Sequence, residues 1–216
     1  NGLKFYRADG EIDKADEARI NGFHDRLALT QAPTIAARPR THEAAPAYRA
    51  RYADFFGAGA LKGLTVGVYQ HSSVGRDLIC EVLSALGATP VPLGRATSFI
   101  PVDTEALRPE DEALALDWAR ERRLDAIVST DGDADRPLVA DEQGRFLRGD
   151  LVGALTAAAL GADAIVTPVT SNSALEKLGL FKQVVRTKVG SPYVIAGMDE
   201  ATRAGAKVVV GFEANG

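Results

Sequence analysis

The feature that most constrains the fold is an alternation, from Lys62 onward, of short apolar runs rich in β-branched residues with longer periodic stretches. This alternation is typical of strand and helix units around a parallel sheet. The first unit combines a strand over Leu64–Tyr69 with a helix over Arg76–Leu86. A helix over Asp111–Arg123 then leads into a strand over Ala126–Ser129. The sequence therefore predicts the α/β class, with mixed or parallel sheets sandwiched by helices.

The second half of the chain repeats the alternation. Asp150 is a natural N-cap for its first helix and a domain start. A short hairpin precedes it, in which Pro137–Ala140 and Arg145–Leu147 flank a polar turn. The predicted elements after Asp150 are helix Leu151–Leu160, strand Ala164–Val169, helix Ser173–Leu178, strand Val184–Thr187, helix Pro192–Ala204 and strand Lys207–Gly211.

Composition excludes several kinds of protein. Hydrophobic residues make up 46% and charged residues 25%, so the chain is globular rather than disordered. A net charge of −4 provides no long-range attraction for nucleic acid or an anionic membrane, and we predict neither partner. The single cysteine, Cys80, and the lack of a leader or an uninterrupted apolar span predict a cytoplasmic protein. Since Asn1 is not an initiating methionine, the chain is expected to be cut from something longer.

Three carboxylates occur at alternate positions directly after a predicted strand. They lie in the run Asp131-Gly132-Asp133-Ala134-Asp135-Arg136, which with Thr130 forms the acidic loop, residues 130–136. Clustered carboxylates repel one another unless a cation or an arginine neutralises them, and Mg²⁺ and Ca²⁺ prefer oxygen ligands. The loop is therefore a candidate metal site. A solvated acidic turn is the alternative.

A calcium-binding hand is a second metal interpretation of this loop, because Glu142 stands at the twelfth position from Asp131. Two details oppose it. The sixth position, which requires glycine, is Arg136 followed by Pro137. The preceding element is also predicted to be a strand, whereas a helix is required. Mg²⁺ is the favoured ion.

The acidic loop resembles the D-G-D-G-D-R metal loop of the α-D-phosphohexomutases, the phosphomannomutase and phosphoglucomutase superfamily, with Ala134 in place of the middle glycine. The resemblance implies that Asp131, Asp133 and Asp135 bind Mg²⁺. It also implies that Arg136 helps to hold the phosphoryl group during transfer.

A second segment, Arg186–Ser191, is similar to the part of the family's third domain in which a lysine faces the sugar. The resemblance makes Lys188 a catalytic candidate and places Gly190 and Ser191 at the substrate. Without the resemblance, a solvated charge at a strand end is an equally good interpretation of Lys188.

A third segment, residues 211–216, stands in the place of the family's sugar-recognition loop, commonly G-E-x-S-G, and is called the recognition loop below. Glu213 matches directly, and Asn215 stands where serine is usual. Asparagine both donates and accepts hydrogen bonds, so contacts to sugar hydroxyls are retained. A glycine-flanked turn is the alternative.

The resemblance also implies a domain organisation. The opening residues Asn1–Phe5 look like the strand that follows the family's phosphoserine loop, so that loop and the C-terminal phosphate-binding domain are expected to lie outside the chain. Gln31–Pro46, with three prolines, reads as a linker. We predict a first-domain tail with linker over 1–45, a second domain over 46–149 and a truncated third domain over 150–216.

The implied reaction moves a phosphoryl group between C1 and C6 of a hexose phosphate, through a phosphoserine and a hexose 1,6-bisphosphate. Mannose and glucose phosphates are the expected substrates, and the fragment alone is expected to be inactive. A Mg²⁺-dependent phosphohydrolase with an aspartate nucleophile and a sugar-phosphate binding module are the alternatives. The phosphohydrolase leaves Lys188 and Glu213 without a role.

Overall fold

The computed structural model describes residues 5–8, 10–27 and 43–215. Most of the predicted linker, Asn1–Lys4 and Gly216 lie outside this part of the chain. The strands are β1 Tyr6–Arg7, β2 Gly10–Glu11, β3 Thr65–His71, β4 Thr89–Arg95, β5 Ala126–Thr130, β6 Pro137–Ala140, β7 Ala164–Pro168, β8 Gln183–Thr187 and β9 Val209–Gly211. The α-helices are α1 Lys14–His24, α2 Ala45–Phe56, α3 Arg76–Ala85, α4 Pro109–Glu121, α5 Gly149–Ala159 and α6 Ser191–Arg203.

The first large sheet has the strand order β4-β3-β5-β6. Strand β3 is parallel to β4 and to β5, whereas β6 is antiparallel to β5. The central strand β3 is buried from Val66 onward, because its apolar side chains face helices on both sides. Since parallel strands end at the same edge of a sheet, the loops after β3 and β5 are neighbours. This geometry determines where the acidic loop lies.

The second sheet has the order β8-β7-β9 and is parallel throughout. Its middle strand β7 is completely buried, with Ala164, Ile165 and Val166 fully inaccessible. One core cluster joins Ile165 to Phe212 and to helix α5. Another cluster joins Val166 to Val194 of helix α6. The mixed and parallel sheets packed against helices confirm the predicted α/β class.

One local prediction was wrong and another was met in part. The segment Ser173–Leu178 forms turns rather than a helix, and the carbonyls just before it, at Pro168, Ser171 and Asn172, accept hydrogen bonds from the Arg186 guanidinium. The predicted hairpin is present in a shorter form: residues 145–147 return antiparallel to β6 and pair with it through a bridge between Ala140 and Phe146 and a hydrogen bond from the Leu147 N–H to the Val139 carbonyl. The Asp141 carboxylate accepts hydrogen bonds from the N–H groups of Gln143 and Arg145 and closes the polar turn between the two arms.

The predicted N-cap role of Asp150 was also wrong. Helix α5 begins at Gly149, with Arg148 at the N-cap and no side-chain cap. Asp150 is buried, and its Oδ2 accepts a hydrogen bond of 2.8 Å from the Asn172 N–H. The side chain therefore fastens the loop after β7 to the start of α5.

The structure adds elements that the sequence did not indicate. Strand β4 contains Pro90 and Pro92, and proline is disfavoured within a sheet, but β4 is an edge strand and needs partners on one side only. The hairpin β1–β2 and helix α1 precede the predicted linker, and α2 begins at Ala45. Among the described residues, no helix combines the length and apolar character needed to cross a membrane.

Candidate active site

The acidic loop follows β5 and brings three carboxylates together. Ligand oxygens of Asp131, Asp133 and Asp135 all lie within 4.8 Å of one another. Asp131 Oδ1 accepts hydrogen bonds from the N–H groups of Asp135 at 3.2 Å and Arg136 at 3.4 Å, so the loop curls around this carboxylate. An all-oxygen donor set of this kind fits a hard divalent cation such as Mg²⁺.

The electrostatics of the loop favour a cation. Burial raises the pKa of Asp131, and the neighbouring charges of Asp135 and Asp133 raise it further. The raised pKa makes ionisation of Asp131 less favourable than in a free aspartate, although the hydrogen bond from the Arg136 N–H opposes the shift. A divalent cation would offset both the repulsion and the loss of solvation.

Ala134 occupies an unusual backbone conformation in this loop. Its φ is +64°, in the left-handed region that glycine adopts without steric cost and other residues adopt rarely. The loop curls tightly at this residue, which is where the resembling family has its middle glycine. Replacement of that glycine by Ala134 is therefore accommodated with strain.

The segment 71–75, which ends β3 and leads into α3, lies directly against the acidic loop. Val74 N–H donates to the Gly132 carbonyl at 3.1 Å. Ser73 Oγ accepts from the Gly75 N–H at 3.1 Å and bonds the Thr130 hydroxyl at 2.8 Å. Gly75 is the N-cap of α3 and has no side chain to cap the helix.

A cleft of about 330 Å³ joins the acidic loop to the recognition loop. It is bordered by residues from four parts of the chain. They are Tyr6 and Glu11 of the N-terminal hairpin, Asp135 and Arg136 of the acidic loop, Ser191 at the start of α6, and Glu213 and Asn215 of the recognition loop. Five of the predicted site residues therefore share one cavity.

The recognition loop is held by one buried ring and by hydrogen bonds at Phe212 and Glu213. The Phe212 N–H donates to the Val166 carbonyl at 3.0 Å. Phe212 is buried in the core against Gly153 of α5, where an added Cβ would lie 2.5 Å from the ring. Glu213 Oε1 accepts a hydrogen bond of 3.1 Å from the Gly190 N–H. Asn215 is 9% exposed and borders the cleft.

The remaining predicted residues lie at the edges of this arrangement. Gly190 contacts the site through its N–H bond to Glu213. Lys188 is exposed, with Nζ 5.6 Å from the centre of the Tyr193 ring, and it is not among the described residues that line the cleft. Arg136 Nε lies 3.9 Å from Asp135 Oδ1, so its guanidinium stays beside the carboxylates.

Sequence reasoning missed Glu11 and Tyr6. Ser191 Oγ donates to Glu11 Oε1 at 3.2 Å, which joins residues 180 positions apart. The only signal in the sequence was the likeness of the opening residues to a strand beside a catalytic loop. That likeness located the segment near the site but did not single out a side chain.

Residues 50–144 match the family model for the phosphoglucomutase/phosphomannomutase alpha/beta/alpha domain II, and residues 148–216 match the model for domain III. The chain is 49% identical to a phosphomannomutase from Sinorhizobium fredii, over 100% of this chain and 46% of that protein. It is 48% identical to a phosphomannomutase from Salmonella muenchen, over 100% of this chain and 44% of that protein. The chain thus spans less than half the length of these relatives.

A solved structure has the same fold. The crystal structure of a phosphoglucomutase/phosphomannomutase family protein from Burkholderia thailandensis superposes with a TM-score of 0.69 at 20% identity, over 92% of this chain and 44% of that chain. At this level of identity the likeness concerns the fold alone.

Proposed function

Because the chain belongs to the phosphoglucomutase/phosphomannomutase family, we propose that the full-length protein is a phosphohexomutase that moves a phosphoryl group between C1 and C6 of a hexose phosphate. The observation that carries the proposal is the cleft in which the acidic loop meets the recognition loop. Its volume of about 330 Å³ lies within the range of roughly 300–1,000 Å³ typical of small-molecule sites. Mannose 1-phosphate is the first substrate to test, because the two most similar relatives reported above are phosphomannomutases.

Mg²⁺ would be held by Asp131, Asp133 and Asp135, and it would supply charge neutralisation for the transferring phosphoryl group. Arg136 lines the same cleft and would bind phosphoryl oxygens through its fork of N–H donors. Phosphoryl transfer requires positioning and electrostatic stabilisation more than covalent help. The acidic loop would therefore serve the reacting group.

The recognition loop would serve the sugar. Glu213 accepts hydrogen bonds from hydroxyls, and Asn215 both donates and accepts them. Gly190 fixes the Glu213 carboxylate, and Ser191 presents a hydroxyl at the cleft wall. Lys188 belongs to the same segment as Gly190 and Ser191. Its ammonium group would face the sugar while protons are exchanged. A hexose 1,6-bisphosphate that reorients in the cleft would contact these groups in both of its orientations.

We keep the boundaries of the three predicted domains at 45/46 and 149/150. A cytoplasmic location remains a prediction from the single cysteine and the predicted hexose phosphate substrates.

A coupled assay tests the proposal. The full-length protein, primed with hexose 1,6-bisphosphate and Mg²⁺, is expected to convert mannose 1-phosphate and glucose 1-phosphate into their 6-phosphates, and the ratio of kcat/KM values ranks the two sugars. The 216-residue chain is expected to show no turnover, because the phosphoryl-carrying serine is predicted to lie outside it. Turnover by this chain alone would contradict the prediction that the phosphoryl-carrying serine lies outside it.

A further inference from the structure

His71, at the end of β3, is buried and strained. Its side chain is fully inaccessible, its φ is +26°, and its Nδ1 is a buried polar atom without a hydrogen-bond partner in the described structure. A non-glycine residue in the left-handed region and an unsatisfied buried nitrogen both oppose folding. An apolar core requires neither feature. Strained and polar buried residues of this kind cluster at functional sites.

The other imidazole nitrogen explains why a histidine stands here. His71 Nε2 lies 2.9 Å from the Thr130 carbonyl oxygen. A carbonyl only accepts, so Nε2 carries the proton and donates. Burial lowers the pKa of His71, which is consistent with a neutral ring whose single N–H is used in this bond.

The Thr130 carbonyl belongs to the peptide group that connects β5 to Asp131. Fixing this peptide fixes the Cα of Asp131, around whose carboxylate the acidic loop curls. The imidazole therefore acts on the metal-binding carboxylates through one peptide group. It lines neither the cleft nor the carboxylate cluster.

We propose that His71 is a positioning residue of the acidic loop, which holds the Thr130–Asp131 peptide so that the three carboxylates converge on one cation. The inference rests on the proposed metal role of this loop. The two neighbouring bonds of the 71–75 segment, from Ser73 to the Thr130 hydroxyl and from Val74 to the Gly132 carbonyl, complete the support. Side chains that orient metal ligands in this way commonly change metal affinity by about 10–100-fold when removed.

The test uses Mn²⁺ as the probe, with the dissociation constant measured by electron paramagnetic resonance on the full-length protein. Two amide variants form the central pair. H71Q carries an N–H donor at about the reach of Nε2, whereas H71N accepts the left-handed backbone but is too short to reach Thr130. We expect H71N to weaken Mn²⁺ binding by about tenfold or more and H71Q to stay within about threefold of the wild type.

Two further variants serve as controls. S72A removes a hydroxyl from the same segment that bonds the Ile100 backbone on the opposite side, and it should leave Mn²⁺ affinity unchanged. S73A removes the bond to the Thr130 hydroxyl without changing position 71, and it should weaken binding by about threefold, the effect of one hydrogen bond. S73A keeps the test decisive if H71N does not fold. Circular dichroism identifies the folded variants.

The outcomes separate the two proposals. Equal Mn²⁺ affinity of the wild type and folded H71N, or of the wild type and S73A where H71N does not fold, overturns the positioning role alone. Failure of the wild-type protein to bind Mn²⁺ overturns the proposed function and this inference with it. Weak binding by H71N that H71Q restores supports the positioning role, because a general loss of core packing would affect both variants.

Discussion

The acidic loop and the recognition loop border the same cleft, but different forces hold them. Hydrogen bonds hold the acidic loop, both within the loop at Asp131 and from the 71–75 segment beside it. The recognition loop is held mainly by packing of the Phe212 ring against Gly153, with hydrogen bonds from the Gly190 N–H to Glu213 and from the Phe212 N–H to the Val166 carbonyl. Polar support suits a loop whose carboxylates must keep fixed directions toward a cation. An apolar anchor suits a loop whose polar tips remain available to a ligand.

The largest effect on turnover is expected from a change at Asp133. This carboxylate is exposed, so D133N should lower turnover of the full-length protein by about a hundredfold or more while its unfolding temperature stays unchanged. Loss of one ligand removes charge from the cation site without removing packing. Coupled kinetics and thermal unfolding measure the two effects. D117N, which changes an exposed aspartate on α4, is the control and should retain full turnover.

A methyl group at Gly153 tests the apolar anchor. G153A places a Cβ 2.5 Å from the Phe212 ring, which must shift and carry Glu213 with it. We expect the KM for hexose phosphate to rise about 3–10-fold and the free energy of unfolding to fall by about 1–3 kcal/mol. Mn²⁺ affinity should be unchanged, since the acidic loop is held separately. G22A, a helical glycine of α1 with open space around it, should change neither KM nor metal affinity. A lower metal affinity in G153A would mean that the two loops are not independent.

A glycine at position 134 tests whether the backbone of the acidic loop is strained at Ala134. A134G relieves the left-handed backbone at φ +64° and should raise the free energy of unfolding by about 0.5–1 kcal/mol in urea titration. The same exchange in the exposed first half of α4, A113G, should lower it by about 1 kcal/mol. Destabilisation by A134G would show that the methyl group has a packing role.

The smallest effect concerns pH. The hydrogen bond from Arg186 lowers the pKa of Glu176 to about 2 from its ordinary value of 4.5. The ionised form is therefore favoured in the folded state, and its contribution to stability is present above about pH 4.5 and lost as pH falls toward 2. The contribution is modest because the pair is partly exposed.

Unfolding midpoints between pH 7 and pH 2 measure this contribution. The difference between wild type and E176Q should shrink over that window. E200Q, on the exposed surface of α6, should give no such trend. A constant difference between wild type and E176Q across the whole range would contradict the pairing with Arg186.

The acidic loop could be located from sequence because three aspartates at alternate positions follow a strand whose apolar pattern is unambiguous. The role of His71 could not, because its partner, the Thr130 carbonyl, is 59 residues away and becomes a neighbour only when β3 pairs with β5. The turns at 173–178 have a helix-like pattern in the sequence, whereas the carbonyls just before them bind the Arg186 side chain of a different strand. The local sequence pattern indicates individual strands and helices, whereas the contacts of His71 and Arg186 depend on how the strands pair.

Phosphorus NMR of the full-length protein with mannose 1-phosphate, a trace of hexose 1,6-bisphosphate and Mg²⁺ tests the central claim most directly. We predict that the sugar 1-phosphate resonance is replaced by that of mannose 6-phosphate, with no inorganic phosphate released, and that D133N shows no conversion on the same timescale. Release of inorganic phosphate, or absence of conversion by wild-type protein whose serine is phosphorylated, would contradict the assignment as a mutase.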